Sequence, residues 1–298
     1  MTKKIKVEGI IPAMLTPFTG AGELDVDGIR ETVNFLIKSG VSEIMCLGST
    51  GEAAALTKEE RIKVTETTVK AANGRVPVMV GTGAPTTREV IEQTEEVKSA
   101  GADSVMIVTP FYEIPTQEGL YRHYATIAEA VDIPIVLYNI PPHTNVEIGL
   151  HTLERLVEID NIVALKDSSG NLSYFAEVMR LVGNKISVLT GGDDITLPCF
   201  ALGCHGAILA LCNIAPRMVV DLYHAVQQKE MAKAEKLYYQ LLPIARAISI
   251  PENFPAPLKE AVMMLGRPAG LARSPITPVS ESEKTTIMEA LKIAKLIF

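Results

Sequence analysis

Most lysines of this chain lie in segments of helical periodicity, near helix ends or in the basic N-terminus, whereas Lys166 directly follows Ile162-Val163-Ala164-Leu165, an apolar run of strand length. An amine at the end of such a run points into or over an apolar interior. Burial disfavours an ammonium ion, and the free amine that results attacks carbonyl carbon to form a Schiff base. A lysine paired with the neighbouring Asp167 would occupy the same position for structural reasons, and position alone leaves both readings open.

A lysine that forms an imine with a 2-keto acid needs donors for the acid's carboxylate and a proton shuttle beside the imine carbon. Both occur at the ends of other apolar runs. Gly48-Ser49-Thr50-Gly51-Glu52 follows Glu43 to Leu47, and as a turn opening toward the next helix it can offer backbone N–H groups and the hydroxyls of Ser49 and Thr50 to an anion. Tyr138 ends the run Ile135 to Tyr138, where its phenol can give or take a proton. Each has a plainer reading, an ordinary turn for the first and a packed aromatic for the second. Gly191-Gly192-Asp193-Asp194 follows Ser187 to Leu189; its acids can cap the next helix, bind substrate hydroxyls or hold Mg²⁺. His123, His143, His151, His205 and His224 have no HxxxH or HxH spacing, so no zinc site and no metal is expected. No GxxxxGK[ST] string calls for a nucleotide, and no cofactor is expected.

The elements that must carry these residues follow from one repeated pattern. Eight short apolar runs, Gly9 to Leu15, Glu43 to Leu47, Val76 to Val80, Ser104 to Val108, Ile135 to Tyr138, Ile162 to Leu165, Ser187 to Leu189 and Gly206 to Ala210, alternate with longer segments such as Asp25 to Ser39, Lys58 to Ala72, Thr87 to Ala100 and Gln117 to Val131. Apolar residues in the longer segments recur at helical spacing. Thr57 ahead of Lys58-Glu59-Glu60 is an N-cap, and Gly40, Gly74 and Gly101 stand where helices end. Continuous apolar strands joined by helices form a parallel sheet, and eight units close into a (β/α)₈ TIM barrel. An open doubly wound sheet is the alternative, disfavoured because the first turn lacks GxGxxG. After Pro216 only helical segments appear, over Met218 to Gln228, Lys229 to Ser249, Pro257 to Leu265 and Glu281 to Phe298. The expected organisation is a barrel over residues 1–225 and a C-terminal helical extension over 226–298.

Bulk properties narrow the class. With 47% hydrophobic and 21% charged residues, the 298-residue chain is globular in composition, and its net charge of −7 offers no surface to nucleic acid or anionic lipid beyond the short cluster Lys3, Lys4 and Lys6. No apolar stretch reaches the length of a membrane span, and MTKKIKVEG lacks the apolar core of a signal peptide, so a cytoplasmic location is expected. Cys46, Cys199, Cys204 and Cys212 have no CxxC spacing and read as buried thiols.

Several spaced strings in one order resemble the dihydrodipicolinate synthase and N-acetylneuraminate lyase family of pyruvate-dependent class I aldolases. They are Gly48 to Glu52, Thr109-Pro110-Phe111-Tyr112 with Gln117-Glu118-Gly119-Leu120-Tyr121, Tyr138-Asn139-Ile140-Pro141, Val163 to Gly170, Gly191 to Asp194 and Pro255-Ala256-Pro257-Leu258-Lys259. The resemblance implies Lys166 as the Schiff-base residue, Tyr138 as the acid/base hydroxyl, Ser49 and Thr50 as the carboxylate site and Ile208 as the apolar neighbour of pyruvate. It further implies a hydroxyl relay of Tyr138, Ser49 and a Tyr112 from a neighbouring subunit, within a homotetramer built as a dimer of dimers. Gly192, Asp193 and His143 enter as candidates for binding the second substrate.

Two departures bear on that substrate. His143 stands in Pro142-His143-Thr144, where dihydrodipicolinate synthases usually carry an arginine, and an imidazole does not clamp a carboxylate as a guanidinium does. Ala210 stands where sialic acid lyases use a serine. The leading expectation is therefore a lyase acting on pyruvate, or another 2-keto acid, plus an aldehyde, with a 2-keto-3-deoxy sugar acid or related hydroxy-keto acid as product or substrate. The runner-up is condensation of pyruvate with aspartate semialdehyde, as in lysine biosynthesis. A barrel that binds a keto acid without turnover is the reading from another class.

Overall fold

The computed structural model describes residues 6–249 and 251–298; Lys3 and Lys4 of the basic N-terminal cluster lie outside the described residues. The strands are β1 (Gly9–Pro12), β2 (Ile44–Cys46), β3 (Val78–Gly81), β4 (Ser104–Val108), β5 (Ile135–Asn139), β6 (Ile162–Asp167), β7 (Ser187–Thr190) and β8 (Gly206–Leu209). From β2 to β8 each pairs in parallel with its neighbour in sequence, and β8 pairs with β1. Between β1 and β2 the ring is joined by one parallel bridge, Ala13 to Met45, with the Met14 N–H donating to Met45 O at 2.8 Å. The first run ends as a strand at Pro12 rather than Leu15, because the Leu15 N–H donates to the Asn213 side chain instead of to a neighbouring strand. The fold is a TIM barrel with a C-terminal helical extension.

The helices on its outer face begin where hydroxyl and carboxylate side chains accept their first free N–H groups. Asp25 caps α1 (Val26–Lys38), Thr57 caps α2 (Lys58–Ala72), Thr86 caps α3 (Thr87–Ser99) and Thr116 caps α4 (Gln117–Ala130). Thr57 and Glu60 complete a reciprocal capping box. The fifth connection holds two short helices, α5 (Pro141–Thr144) and α6 (Leu150–Leu156), followed by α7 (Leu172–Val182), α8 (Thr196–Ala201) and α9 (Pro216–Gln227). The first helix expected after Pro216 is thus α9, which starts at that proline and closes the eighth unit. The extension consists of α10 (Met231–Ile248), α11 (Ala256–Met264) and α12 (Glu281–Ile293).

Alternation along the strands divides the apolar residues into two cores. Ile10, Ile44, Val78, Val105, Ile135, Ile162 and Leu165 point outward under the helices, while Ile11, Met45, Met79, Met106, Val136, Tyr138, Leu189 and Ile208 fill the barrel. Strand β6 breaks the rule once. Ile135 pairs with Ile162 and Val136 with Ala164, so Val163 is an extra residue in β6, and both Val163 and Ala164 join the interior core. Such a bulge reverses the facing of every later side chain in its strand. Counting by twos from the outward Ile162 would turn Lys166 outward; the bulge turns it into the barrel.

Candidate active site

Tyr138 and Lys166 are register partners on β5 and β6, and the Lys166 amine lies 4.1 Å from the centroid of the Tyr138 ring. Both are about 5% exposed. The next residues on the two strands, Asn139 and Asp167, face the other way. Asn139 Nδ2 donates to Asp167 Oδ1 at 2.8 Å, Ser169 Oγ donates to Asp167 Oδ2 at 2.8 Å, and the Ile148 N–H donates to Asn139 Oδ1 at 3.0 Å. Burial pushes the Asp167 carboxyl above the usual carboxylate range. Lys166 is therefore not the partner of Asp167, and the amine shares the barrel interior with a phenol ring rather than an ion pair.

Gly191, at the end of β7, leaves the room this amine needs. A Cβ on residue 191 would stand 2.6 Å from Lys166 Cε and would also collide with Ser168 Oγ. Sequence reading picked out the neighbouring Gly192, whose own Cβ would meet Ile195 instead. A strand-end Gly pair signals a close approach, but only the register shows which of the two glycines lies over the lysine.

The Gly48 to Glu52 loop leaves β2 and is followed by a single 3₁₀ turn, Ala53–Ala55, before α2 begins. The N-terminus of α2 is occupied by Thr57 and Glu60, so it is not the anion site. Within the loop the Gly51 N–H donates to Gly48 O at 3.0 Å and the Glu52 N–H to Ser49 O at 3.1 Å, while the N–H groups of Ser49 and Thr50 donate to no group among the described residues. Two adjacent unsatisfied amides with two hydroxyls are the donor set a carboxylate takes.

A cavity of about 450 Å³ opens over the strand ends, and Gly48, Ser49, Val108, Phe111, Tyr138 and His143 are among its lining residues. Ser49, Tyr138 and His143 thus share one space. Ile208 is buried beside Tyr138 in the barrel core. Tyr112 is not part of the space: it sits in the left-handed region at φ 74° with 91% of its surface exposed.

Asp193 does not cap the helix that follows it. Its Oδ1 accepts the Leu211 N–H at 3.1 Å, tying the turn after β7 to the turn after β8, and Thr196 Oγ1 donates to the Gly192 and Asp193 carbonyls. Burial pushes the Asp193 carboxyl up to about 7, against the opposing pull of the Lys166 charge. His123 Nδ1 lies 2.9 Å from Thr87 Oγ1 between α3 and α4, and His205 Nδ1 accepts the Val188 N–H, so neither reaches the cavity. No cluster of three metal-ligating side chains occurs among the described residues.

A parallel barrel with an inward lysine and tyrosine side by side at its strand ends, beside a loop with two free amides, is the architecture of a class I aldolase, a carbon–carbon lyase. The sequence model of the Dihydrodipicolinate synthetase family matches residues 6–294, and the chain belongs to that family. A 4-hydroxy-tetrahydrodipicolinate synthase of Methanothrix thermoacetophila is 42% identical over 95% of each chain. The dihydrodipicolinate synthase of Aquifex aeolicus superposes with a TM-score of 0.93 at 40% identity, covering 97% of this chain and 99% of that one. The chloride-inhibited dihydrodipicolinate synthase of Acinetobacter baumannii, solved with pyruvate, gives a TM-score of 0.94 at 36% identity, covering 98% of this chain and all of the other.

Proposed function

We propose that this chain condenses pyruvate with aspartate semialdehyde, through an imine on Lys166. The observation that carries the reading is the register pairing of Lys166 with Tyr138 inside the barrel, in a chain that matches a 4-hydroxy-tetrahydrodipicolinate synthase along 95% of its length. That similarity favours the runner-up of the sequence reading over the sugar-acid reaction.

The amine of Lys166 adds to C2 of pyruvate, and loss of water leaves an iminium that draws electrons from the adjacent methyl carbon. Removal of a proton there gives an enamine, whose carbon attacks the aldehyde; hydrolysis releases the product and the free amine. Tyr138, beside the amine, moves the protons, and Ser49 and Thr50 hold the carboxylate through amides and hydroxyls. Ile208 forms the apolar wall, Gly192 and Asp193 meet the second substrate from the turn after β7, and His143 faces the aldehyde's side of the cavity. Tyr112, exposed and strained in its own subunit, completes the relay to Ser49 from a neighbouring copy, which calls for a homo-oligomer, a tetramer as a dimer of dimers. We read the chain as a cytoplasmic protein, divided into a barrel over 1–225 and an extension over 226–298.

His143 favours a second reading, cleavage of a 2-keto-3-deoxy sugar acid to pyruvate and an aldehyde, because an imidazole does not clamp a carboxylate as a guanidinium does; Ala210, in place of a serine, speaks against sialic acid as that substrate. Incubation with pyruvate, reduction with borohydride and mass spectrometry should place the adduct on Lys166; its absence would remove both readings and leave a keto-acid-binding barrel. Assays with aspartate semialdehyde and with sugar-derived aldehydes then separate the two, and faster turnover of the latter would reverse our preference.

A further inference from the structure

One buried ion pair lies behind the anion-binding loop and joins it to the opposite end of the sequence. Lys259, in α11 of the helical extension, has a side chain only 1% exposed, and its Nζ donates to Glu52 Oε1 at 2.7 Å, to Thr16 O at 3.1 Å and to Leu271 O at 3.2 Å. All three ammonium protons are used, and the Phe18 ring lies 4.1 Å away. Glu52 closes the Gly48 to Glu52 loop in a left-handed conformation, φ 54° and ψ 36°, which a residue with a Cβ adopts only when its surroundings hold it there. Its second oxygen accepts the Arg273 N–H at 2.8 Å. The Arg273 guanidinium in turn forks onto Glu60 at 2.6 and 2.7 Å and reaches the carbonyl of Ala55. Thr16 Oγ1 donates to the Gly51 carbonyl at 2.6 Å.

Every hold on the far side of this loop therefore comes from β1's exit, from α11 or from the segment around Arg273. Thr16, Lys259 and Arg273 do not line the cavity; only Glu52, which they hold, does. A free loop of two glycines would sample many orientations of the Ser49 and Thr50 amides, whereas an anion site requires them fixed in advance. We propose that Lys259 is a positioning residue for the keto-acid carboxylate: through Glu52 it fixes the loop so that the Ser49 and Thr50 amides converge on one point in the barrel mouth. The helical extension is on this account part of the catalytic apparatus, a brace applied from behind. The inference rests on the reading that this loop takes the carboxylate.

The test compares imine trapping on Lys166 with pyruvate and with methyl pyruvate, a ketone of the same shape that lacks the negative charge. In the unaltered enzyme pyruvate should react faster at equal, low concentration. The paired change Lys259→Met with Glu52→Gln removes both charges without stranding either, and should shrink that preference by about tenfold, the worth of one charged hydrogen bond. The methyl pyruvate rate stays near its original value, because the amine itself is untouched. Thr16→Val, which keeps the ion pair and removes only the tie to Gly51, should shift the ratio the same way by a smaller factor, and it decides the matter if the paired variant does not fold. An unchanged ratio in a folded variant overturns the proposal. Failure of the unaltered enzyme to form any adduct would instead overturn the functional reading on which it stands.

Discussion

Gly191 and Lys166 face each other across β6 and β7 so closely that a methyl group on residue 191 would stand 2.6 Å from Lys166 Cε. The backbone of Gly191 is not among the positive-φ positions, so alanine there is allowed conformationally and excluded only by the lysine and by Ser168. Gly191→Ala should keep the fold and displace the amine, lowering both kcat and the rate of borohydride trapping by about a hundredfold, the usual cost of misplacing a reacting group by roughly 1 Å. Circular dichroism and trapping kinetics check it; a fully active variant would show that the amine works from another rotamer.

His143 borders the cavity from α5. If the second substrate carries a carboxylate on that side, His143→Arg supplies a two-pronged donor and should lower KM for aspartate semialdehyde by about tenfold, while KM for pyruvate stays put. Steady-state kinetics with each substrate varied in turn give the answer, and an unchanged KM would move the carboxylate's contact elsewhere.

His123 sets an acid limit on stability. Burial lowers its pKa from the ordinary 6.5 to about 4, so the fold prefers the neutral ring. Its contribution is complete above pH 6.5 and is lost as pH falls from there toward 4, to a total of about 3 kcal/mol. Urea unfolding at pH 7 and pH 4.5 should show His123→Gln losing less stability over that interval than the unaltered protein.

Glu43 does the opposite. Buried beneath β2 and accepting from Ser104 Oγ at 3.1 Å, its carboxyl is raised to about 7, chiefly by desolvation. A raised acid favours the folded state at low pH, and that benefit fades as pH rises from 4.5 to 7. Glu43→Gln, which keeps an acceptor for Ser104, should therefore be more stable than the unaltered protein at pH 8 and lose that advantage near pH 4. Thermal unfolding at the two pH values would reveal a parallel offset if the assignment is wrong.

The strands, the outer helices and the nomination of Lys166, Tyr138, Ser49 and Thr50 are legible in the sequence because they depend on local periodicity, on caps such as Thr57 and on the order of short strings. What escaped depends on distance along the chain. Gly191 matters only because β7 lies beside β6, and Lys259 meets Glu52 across 207 positions. Asp193 reads as a helix cap locally and is used instead to hold Leu211. Tyr112 enters only through the string Thr109 to Tyr112; its left-handed backbone and exposure emerge only in the folded chain.

The extra residue at Val163 makes the address of the amine a matter of parity. From Ile162 onward, which side of the barrel wall receives the lysine depends on whether the number of intervening residues, with the bulged one left out of the count, is odd or even, not on what those residues are. β6 should then accept other apolar side chains at positions 163 and 164, and even the loss of Val163, which leaves Ile162 facing out, Ala164 in, Leu165 out and Lys166 in. Removal of one further residue between there and Lys166 would instead carry the amine through the wall, out among the helices, and bring Asp167 into its place.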